Sequence, residues 1–298
     1  MKINAVFEGG GVRGIALAGA AAATLDAGYE FDQTVGTSAG ALVSSLVAAG
    51  FTGEDLAESI CRIDWPGLLN PVRGASIPLV GRHWAMLTRH GIYDSARLEE
   101  VWGELLRQKG IRHFRDLPSG SLRMIVTDLS HSRGLVFPRD LALYGHDPDS
   151  FVVARAVRMS AAIPFVFTSV PLRDWTNGDR VLMADGALAA NFPAAVADRT
   201  NPIVGFRLVM DGPGHDNRHI HVRGPLSLVR AVLGAGIRAR YALPRPVDEG
   251  LTIVHVPVRN DLDFDMSPDE AHSVFERARR SAREQLEAVD LSQPPTLR

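Results

Sequence analysis

The sequence predicts an α/β fold with a mostly parallel central sheet, and its first 50 residues carry the main evidence. Short apolar segments at Ile3–Phe7 and Phe31–Gly36 are typical of buried strands. Each is followed by a glycine-containing turn and a helical stretch, the first from about Ile15 to Ala27 and the second from Ala39 to Gly50. This alternation of strand, loop and helix favours parallel strands joined by right-handed crossovers.

The rest of the chain continues the pattern without a repeat or a linker. Five further strands are predicted, the first two of them as a pair: Leu122–Leu129, Gly134–Pro138, Val181–Asp185, Pro202–Val209 and Leu251–Val256. Three more helices are predicted: one from Leu98 to Gly110, a capped helix within Asp147–Pro164, and one from the Ser267–Glu270 capping box, with Pro268 at its first position, to about Val289. We therefore expect one domain over residues 1–290 and a disordered tail over 291–298.

Composition excludes several classes of protein. Hydrophobic residues make up 46% and charged residues 22% of the 298, which is ordinary for a globular fold. A net charge of −2 gives no general attraction to nucleic acid, so no such partner is expected. The single cysteine, Cys61, excludes an internal disulfide. No apolar run reaches about 18 residues, and the glycine loop starts at Gly9, so we expect a cytoplasmic protein without a removable signal peptide.

The loop "GGGVRG" (Gly9–Gly14) turns a row of backbone amides toward an anion. It matches the G-x-G-x-x-G pattern of dinucleotide sites, and Asp32 lies about 20 residues further on. However, the ribose-binding acid of such a site belongs at the carboxyl end of the second strand, whereas Asp32 lies at its beginning. No Lys-Ser or Lys-Thr pair follows the glycines, as a P-loop would require.

The segment "GTSAG" (Gly36–Gly40) occupies the place where that ribose-binding acid would lie. It is a G-x-S-x-G motif between a strand and a helix, which is the context of a nucleophile elbow. Gly36 and Gly40 allow the sharp turn that presents Ser38. Because two adjacent turns meet at one sheet edge, the glycine amides are expected to form an oxyanion hole above Ser38.

A serine nucleophile needs a base, and the best-placed candidate is Asp185. It ends an apolar strand, and Gly186 permits a turn after it. In a parallel sheet, that end of the strand is the end that carries Ser38. The histidines are less suitable as the base, since His255 is expected to be buried within a strand. The loop containing His215, His219 and His221 lacks the regular spacing of metal ligands. We expect no metal site.

Four blocks in this order resemble the bacterial type of the patatin-like phospholipase family over roughly residues 3–210. They are Gly9–Gly14, Gly36–Gly40, Met159–Phe167 and Asp185–Pro193. The resemblance implies a three-layer α/β/α hydrolase with a Ser38–Asp185 dyad, no catalytic histidine, and an oxyanion hole from Gly9, Gly10 and Gly11. Supporting roles fall to Arg13, Gly14, Gly36, Gly40 and Gly186. Met159 replaces a commonly small residue, and Asp-Gly-Ala replaces the frequent Asp-Gly-Gly, which affects pocket shape.

The resulting prediction is a serine acyl-ester hydrolase of phospholipase A or lysophospholipase type, acting on phospholipid or lysophospholipid without metal or organic cofactor. An acyltransferase on the same fold, a nucleotide-binding module and a catalytically silent lipid-binding protein are the alternatives. Oligomeric state and head-group preference stay open. The connection 65–92 is either a packed loop or a lid in which Leu68, Leu69, Trp84 and Met86 meet lipid. The segment Arg223–Arg245 is either a core-facing helix or a peripheral contact with the inner membrane face.

Overall fold

A computed structural model of the chain describes residues 1–72, 91–210, 250–259, 264–289 and 291. Its main sheet has eight strands: β1 Lys2–Phe7, β2 Glu30–Thr37, β5 Leu122–Asp128, β6 Arg133–Phe137, β8 Val170–Arg173, β9 Arg180–Asp185, β10 Ile203–Met210 and β11 Leu251–Val258. Hydrogen-bonded neighbours follow the order β11-β10-β1-β2-β5-β9-β8, and β6 also pairs with β5. A second, small sheet contains β3 Asn70–Pro71, β4 Gly91–Asp94 and β7 Phe165–Phe167.

Most of the main sheet is parallel, as predicted. Strands β11, β10, β1, β2 and β5 all run in one direction. Strands β6 and β9 are antiparallel to β5, and β8 is antiparallel to β9. The interior of β1 is buried along Ile3–Phe7 because both faces of the sheet are covered, which explains its continuous apolar run.

Six helices accompany the sheet in the described ranges: α1 Gly14–Asp26, α2 Ala39–Ala48, α3 Gly53–Cys61, α4 Ala96–Gln108, α5 Val153–Ser160 and α6 Pro268–Glu287. The alanine-rich α1 packs closely on α6, since a Cβ on Gly19 would lie 2.2 Å from the Phe275 carbonyl oxygen. One face of β1 contributes Ile3, Ala5 and Phe7 to the large core that includes these helices. The opposite face contributes Val6 to a smaller cluster with Val35 and Ala194.

Local sequence signals predicted some helix ends well and one poorly. The Ser267–Glu270 capping box with Pro268 is confirmed, and α6 ends at Glu287 rather than Val289. The helix predicted from Asp147 begins only at Val153, without a side-chain cap. The reason is that Asp147 accepts a hydrogen bond from the Asp149 amide and forms a local turn instead.

Several predicted segments lie outside the described residues. They are the loop with His215, His219 and His221, the segment Arg223–Arg245, the side chains of Trp84 and Met86, and residues 292–298 of the tail. Leu291, which the prediction assigned to the tail, is buried. Among the helices that the structure describes, none combines the length and apolar character needed to cross a bilayer.

Candidate active site

The turn between β2 and α2 presents Ser38 in a strained conformation. Ser38 has φ 53° and ψ −118°, a region that non-glycine residues rarely occupy. The turn is tight on both sides: a Cβ on Gly36 would lie 2.2 Å from the Gly40 carbonyl oxygen, and a Cβ on Gly40 would lie 2.2 Å from that of Phe7. The two glycines predicted from the motif are therefore sterically required.

Ser160 supports this turn, and the sequence analysis assigned it no role. Its hydroxyl accepts a hydrogen bond from the Ser38 amide at 3.1 Å and donates one to the Ile125 carbonyl at 2.6 Å. The side chain is buried at the end of α5. It thus connects the serine turn to β5. The only sequence signal was a serine within the apolar block "MSAAIP".

Asp185 lies beside Ser38, but by a different strand geometry from the one predicted. The prediction of a parallel strand is wrong, because β9 runs antiparallel to β5. Asp185 pairs with Val126, and Thr37 pairs with the preceding residue, Ile125. The carboxyl end of β9 thus comes level with Ser38. Gly186 permits the turn that follows, since a Cβ there would lie 2.1 Å from the Ile125 carbonyl oxygen.

The Asp185 carboxylate is engaged at both oxygens. Oδ2 accepts a hydrogen bond from Ser38 Oγ at 2.6 Å, and Oδ1 accepts one from the Ala187 amide at 2.8 Å. The residue is 3% exposed. Burial raises the pKa of Asp185 to about 6, against the opposing effect of these two hydrogen bonds. That value approaches the ordinary pKa of histidine, about 6.5, so the carboxyl group can exchange protons near neutral pH.

No histidine in the described part of the chain is hydrogen-bonded to Ser38 or Asp185. The prediction that His255 is buried is wrong, because its side chain is exposed on β11, the last strand in the sheet order. Its backbone amide donates to Gln285 Oε1 on α6. Within the same residues, no cluster of histidine, cysteine, aspartate and glutamate could hold a metal ion.

The glycine loop approaches Ser38 closely, but its three amides are not equivalent. The Gly9 amide donates to the Asn191 carbonyl oxygen at 2.9 Å, so its predicted place among the oxyanion donors needs correction. A short 3-10 turn begins at Gly11, directly after Gly10, and ends at half-buried Arg13. Gly11 has a φ of +60°. Amides that open a helical turn lack partners within that turn. Gly10 and Gly11 are therefore the better candidate donors.

Two further contacts hold the glycine loop in place. A Cβ on Gly14 would lie 3.1 Å from Cβ of Ala39, so this glycine allows the start of α1 to approach the residue after Ser38. Buried Glu8 precedes the loop, and its Oε1 accepts from Asn191 Nδ2 at 3.3 Å while its Oε2 accepts from the Leu208 amide at 2.9 Å. Since Asn191 follows Asp185 in the same turn region, these bonds join the glycine loop to the aspartate turn.

An apolar cavity adjoins Ser38. Its lining combines Gly11 and Ser38 with side chains from several elements: Leu42, Trp65, Leu68, Leu98, Ile163, Phe167 and Phe264. Leu68 and Trp65, from the connection predicted to be a lid or a packed loop, are buried at this cavity. The arrangement places a hydroxyl, a carboxylate of raised pKa and candidate oxyanion donors beside a small apolar cavity.

Sequence comparisons identify related proteins. The sequence model of a family described as Patatin-like phospholipase matches residues 5–198. The uncharacterized protein YqhO of Bacillus subtilis (strain 168) is 41% identical over 211 residues, which are 70% of this chain and 72% of that protein. The uncharacterized protein R571 of Acanthamoeba polyphaga mimivirus is 22% identical over 202 residues, or 65% of this chain and 61% of that protein.

A solved structure shows the same fold. VipD from Legionella pneumophila aligns with a TM-score of 0.55 and 15% identity, over 96% of this chain and 67% of that one. At this identity the likeness concerns the fold alone.

Proposed function

The chain belongs to the patatin-like phospholipase family, and on this basis we propose that it is a serine acyl-ester hydrolase that uses Ser38 and Asp185. Family membership supports a lipid acyl hydrolase activity in general. The finer assignment depends on one observation above all, the 2.6 Å hydrogen bond from Ser38 Oγ to the buried Asp185 carboxylate. We propose phospholipid or lysophospholipid as substrate, because the family is described as phospholipases and apolar side chains line the cavity beside Ser38.

In the proposed mechanism, Asp185 Oδ2 takes the proton of Ser38 Oγ while this oxygen attacks the ester carbonyl carbon. The carbonyl oxygen becomes an oxyanion that accepts hydrogen bonds from the amides of Gly10 and Gly11. One well-placed donor of this kind contributes about 2.7–4 kcal/mol to transition-state stabilisation. Collapse of the intermediate breaks the bond to the alcohol, which leaves with the proton held by Asp185.

Deacylation repeats these steps with water. Asp185 takes a proton from the water that attacks the acyl-enzyme, and the fatty acid leaves as Ser38 Oγ regains that proton. Because the pKa of Asp185 is about 6, the carboxylate is ionised at neutral pH and accepts a proton more readily than an ordinary exposed aspartate does. Neither step needs a metal ion or an organic cofactor.

The test is hydrolysis of mixed phospholipid vesicles and of a short soluble ester by Ser38→Ala and Asp185→Asn. Each variant should lose at least about 10³-fold in kcat, as removal of a nucleophile or its base does. Ser45→Ala, which removes a buried hydroxyl from α2 away from the dyad, is the matched control and should retain activity. Circular dichroism checks that each variant is folded. A folded Ser38→Ala variant with activity near that of the parent would contradict the proposal.

The apolar lining of the cavity also favours an alternative reaction with the same two residues. In this reaction the acyl group is transferred to an alcohol instead of to water. Water competes poorly where apolar side chains surround the acyl-enzyme. Adding lysophospholipid as an acceptor to the assay and measuring newly formed diacyl product separates the two reactions. Product formation faster than fatty acid release would reassign the protein as an acyltransferase.

A further inference from the structure

The hairpin formed by β8 and β9 extends beyond the sheet edge where Ser38 lies. Its strands pair from Val170↔Met183 to Arg173↔Arg180, and residues 174–179 form the tip. Since β9 ends at Asp185 beside Ser38, its first residue, Arg180, lies five residues away along the strand. At about 3.3 Å per residue, this distance is about 17 Å. The direction is that of the carboxyl ends of the parallel strands, because β9 is antiparallel to β5.

The hairpin tip exposes large apolar side chains. Trp175 is 60% exposed, and Leu143 on the neighbouring turn is 53% exposed. The two segments are adjacent, because the Trp175 amide donates to the Tyr144 carbonyl at 2.9 Å. Single exposed apolar residues are common, but an exposed tryptophan beside an exposed leucine on the active-site edge is a feature that needs explanation.

Two exposed arginines lie at the base of the hairpin tip. Arg173 and Arg180 are direct partners across the last pair of the hairpin, and both are exposed. Among the residues that the structure describes, no carboxylate lies within 4.0 Å of either guanidinium group. The Arg173 guanidinium lies 4.6 Å from the Trp175 ring centroid. Like charges directly opposite each other on two strands are destabilising, so an anion between them would relieve the repulsion.

The acidic residues of the tip do not supply that anion. Asp174 is buried and its Oδ1 accepts hydrogen bonds from both the amide and the hydroxyl of Thr176. Asp179 is exposed but makes no ion pair with either arginine. The two aspartates balance the formal charge of Arg173 and Arg180, but neither carboxylate pairs with a guanidinium group, so both arginines are exposed near the amphipathic Trp175 ring. Tryptophan prefers the interface between water and lipid, and arginine binds phosphate through its planar fork.

We propose that this hairpin tip docks the protein on the surface of an anionic phospholipid bilayer, with Trp175 in the interface and Arg173 and Arg180 on headgroup phosphates. The inference rests on the proposed function, since it places the mouth of the Ser38 pocket toward the lipid surface.

The experiment measures sedimentation of the full chain with vesicles in a Ser38→Ala background, so that the lipid stays intact. Vesicles contain phosphatidylcholine alone or with phosphatidylglycerol. Trp175→Ala should weaken the partition to both by about tenfold, because it removes most of one large interfacial side chain. The double variant Arg173→Gln and Arg180→Gln should weaken binding to the anionic vesicles about tenfold or more and leave the neutral ones nearly unchanged.

A matched control removes the same formal charge elsewhere: Arg62→Gln with Arg97→Gln, two exposed arginines, the first directly after α3 and the second on α4. This pair should change the anionic partition by less than about twofold. Tryptophan fluorescence adds a direct readout, since Trp175 should shift its emission to shorter wavelength with vesicles and Trp175→Phe should abolish that shift.

Unaltered vesicle partition in the folded Trp175 and arginine variants would overturn the inference. The inference would also be overturned if these variants differed from the parent chain in molar mass in solution but not in vesicle partition. The tip would then be a contact between copies of the chain. Ester hydrolysis by the parent chain is measured separately. A chain that binds vesicles through the tip but hydrolyses no ester would contradict the proposed function and support the docking surface.

Discussion

The two turns that carry the proposed dyad, Ser38 and Asp185, are built differently. The Ser38 turn is local: a strand, two glycines and a helix within five residues force its shape. The Asp185 turn depends on a distant strand, because β9 must pair antiparallel with β5 for Asp185 to come level with Ser38, 147 residues earlier in the chain. The position of the proposed nucleophile is therefore set by one short motif, whereas the position of its proposed base is set by the pairing of β9 with β5.

The largest expected effect comes from filling the space that glycine leaves in each turn. Gly40→Ala and Gly186→Ala would each place a Cβ within about 2.2 Å of a backbone carbonyl oxygen, that of Phe7 or of Ile125. We expect each to lower the free energy of unfolding by about 3 kcal/mol, measured by urea denaturation.

Gly103→Ala is the control for this pair, because its Cβ would meet only ordinary contact with Ala154 in the middle of α4. It should stabilise the protein by about 0.5–1 kcal/mol. If Gly186→Ala proved as harmless as Gly103→Ala, the aspartate turn would be more adjustable than the serine turn.

The raised pKa of Asp185 makes the aspartate turn sensitive to pH. The folded-state pKa of about 6 exceeds the ordinary aspartate value of 3.8, so folding binds a proton between these two pH values. The protonated Asp185 carboxyl group therefore contributes to the free energy of unfolding at low pH, and this contribution is lost as the pH rises toward about 6. Above that pH the ionised group costs about 3 kcal/mol.

Asp185→Asn should therefore raise the free energy of unfolding more at pH 8 than at pH 4, although it abolishes activity. In the parent chain, kcat/KM for a soluble ester should fall about tenfold per pH unit below about pH 6. Ser45→Ala serves as the control with a parallel stability profile. A pH profile that is flat down to pH 4 would contradict the raised pKa of Asp185.

The smallest expected effect concerns the contact between the two turns. Glu8 accepts hydrogen bonds at both carboxylate oxygens, from Asn191 Nδ2 and from the Leu208 amide. Glu8→Gln would turn an amide group toward one of these donors, and the loop carrying Gly10 and Gly11 would shift. We expect kcat to fall about tenfold with KM nearly constant, because only oxyanion donation is affected.

Glu104→Gln, which makes the same change at an exposed glutamate of α4, provides the matched control. It should leave the ratio of kcat to KM near that of the parent. An increase of KM alone in Glu8→Gln would place the role of Glu8 in substrate binding rather than in the geometry of the glycine loop.

The same contrast explains what the sequence could predict. The parallel half of the sheet, the Ser38 elbow and the Ser267 cap follow from short patterns, because neighbouring residues decide them. The orientation of β9, the hydrogen bond between Gly9 and Asn191, and the support of the Ser38 amide by Ser160 depend on contacts between residues more than 50 positions apart in the chain. A motif states which residue types are present, but it does not state which amide is already in use.

The position of β1 between β2 and β10 has a consequence for how the protein is made. One edge of β1 is covered early by β2, but the other stays open until Ile203–Met210 has left the ribosome. At about 5–20 residues per second, this interval lasts on the order of 10–40 seconds. An apolar strand edge exposed for that long can pair with another chain. Nascent chains of this protein should therefore need chaperone protection until the second half of the sheet has been translated.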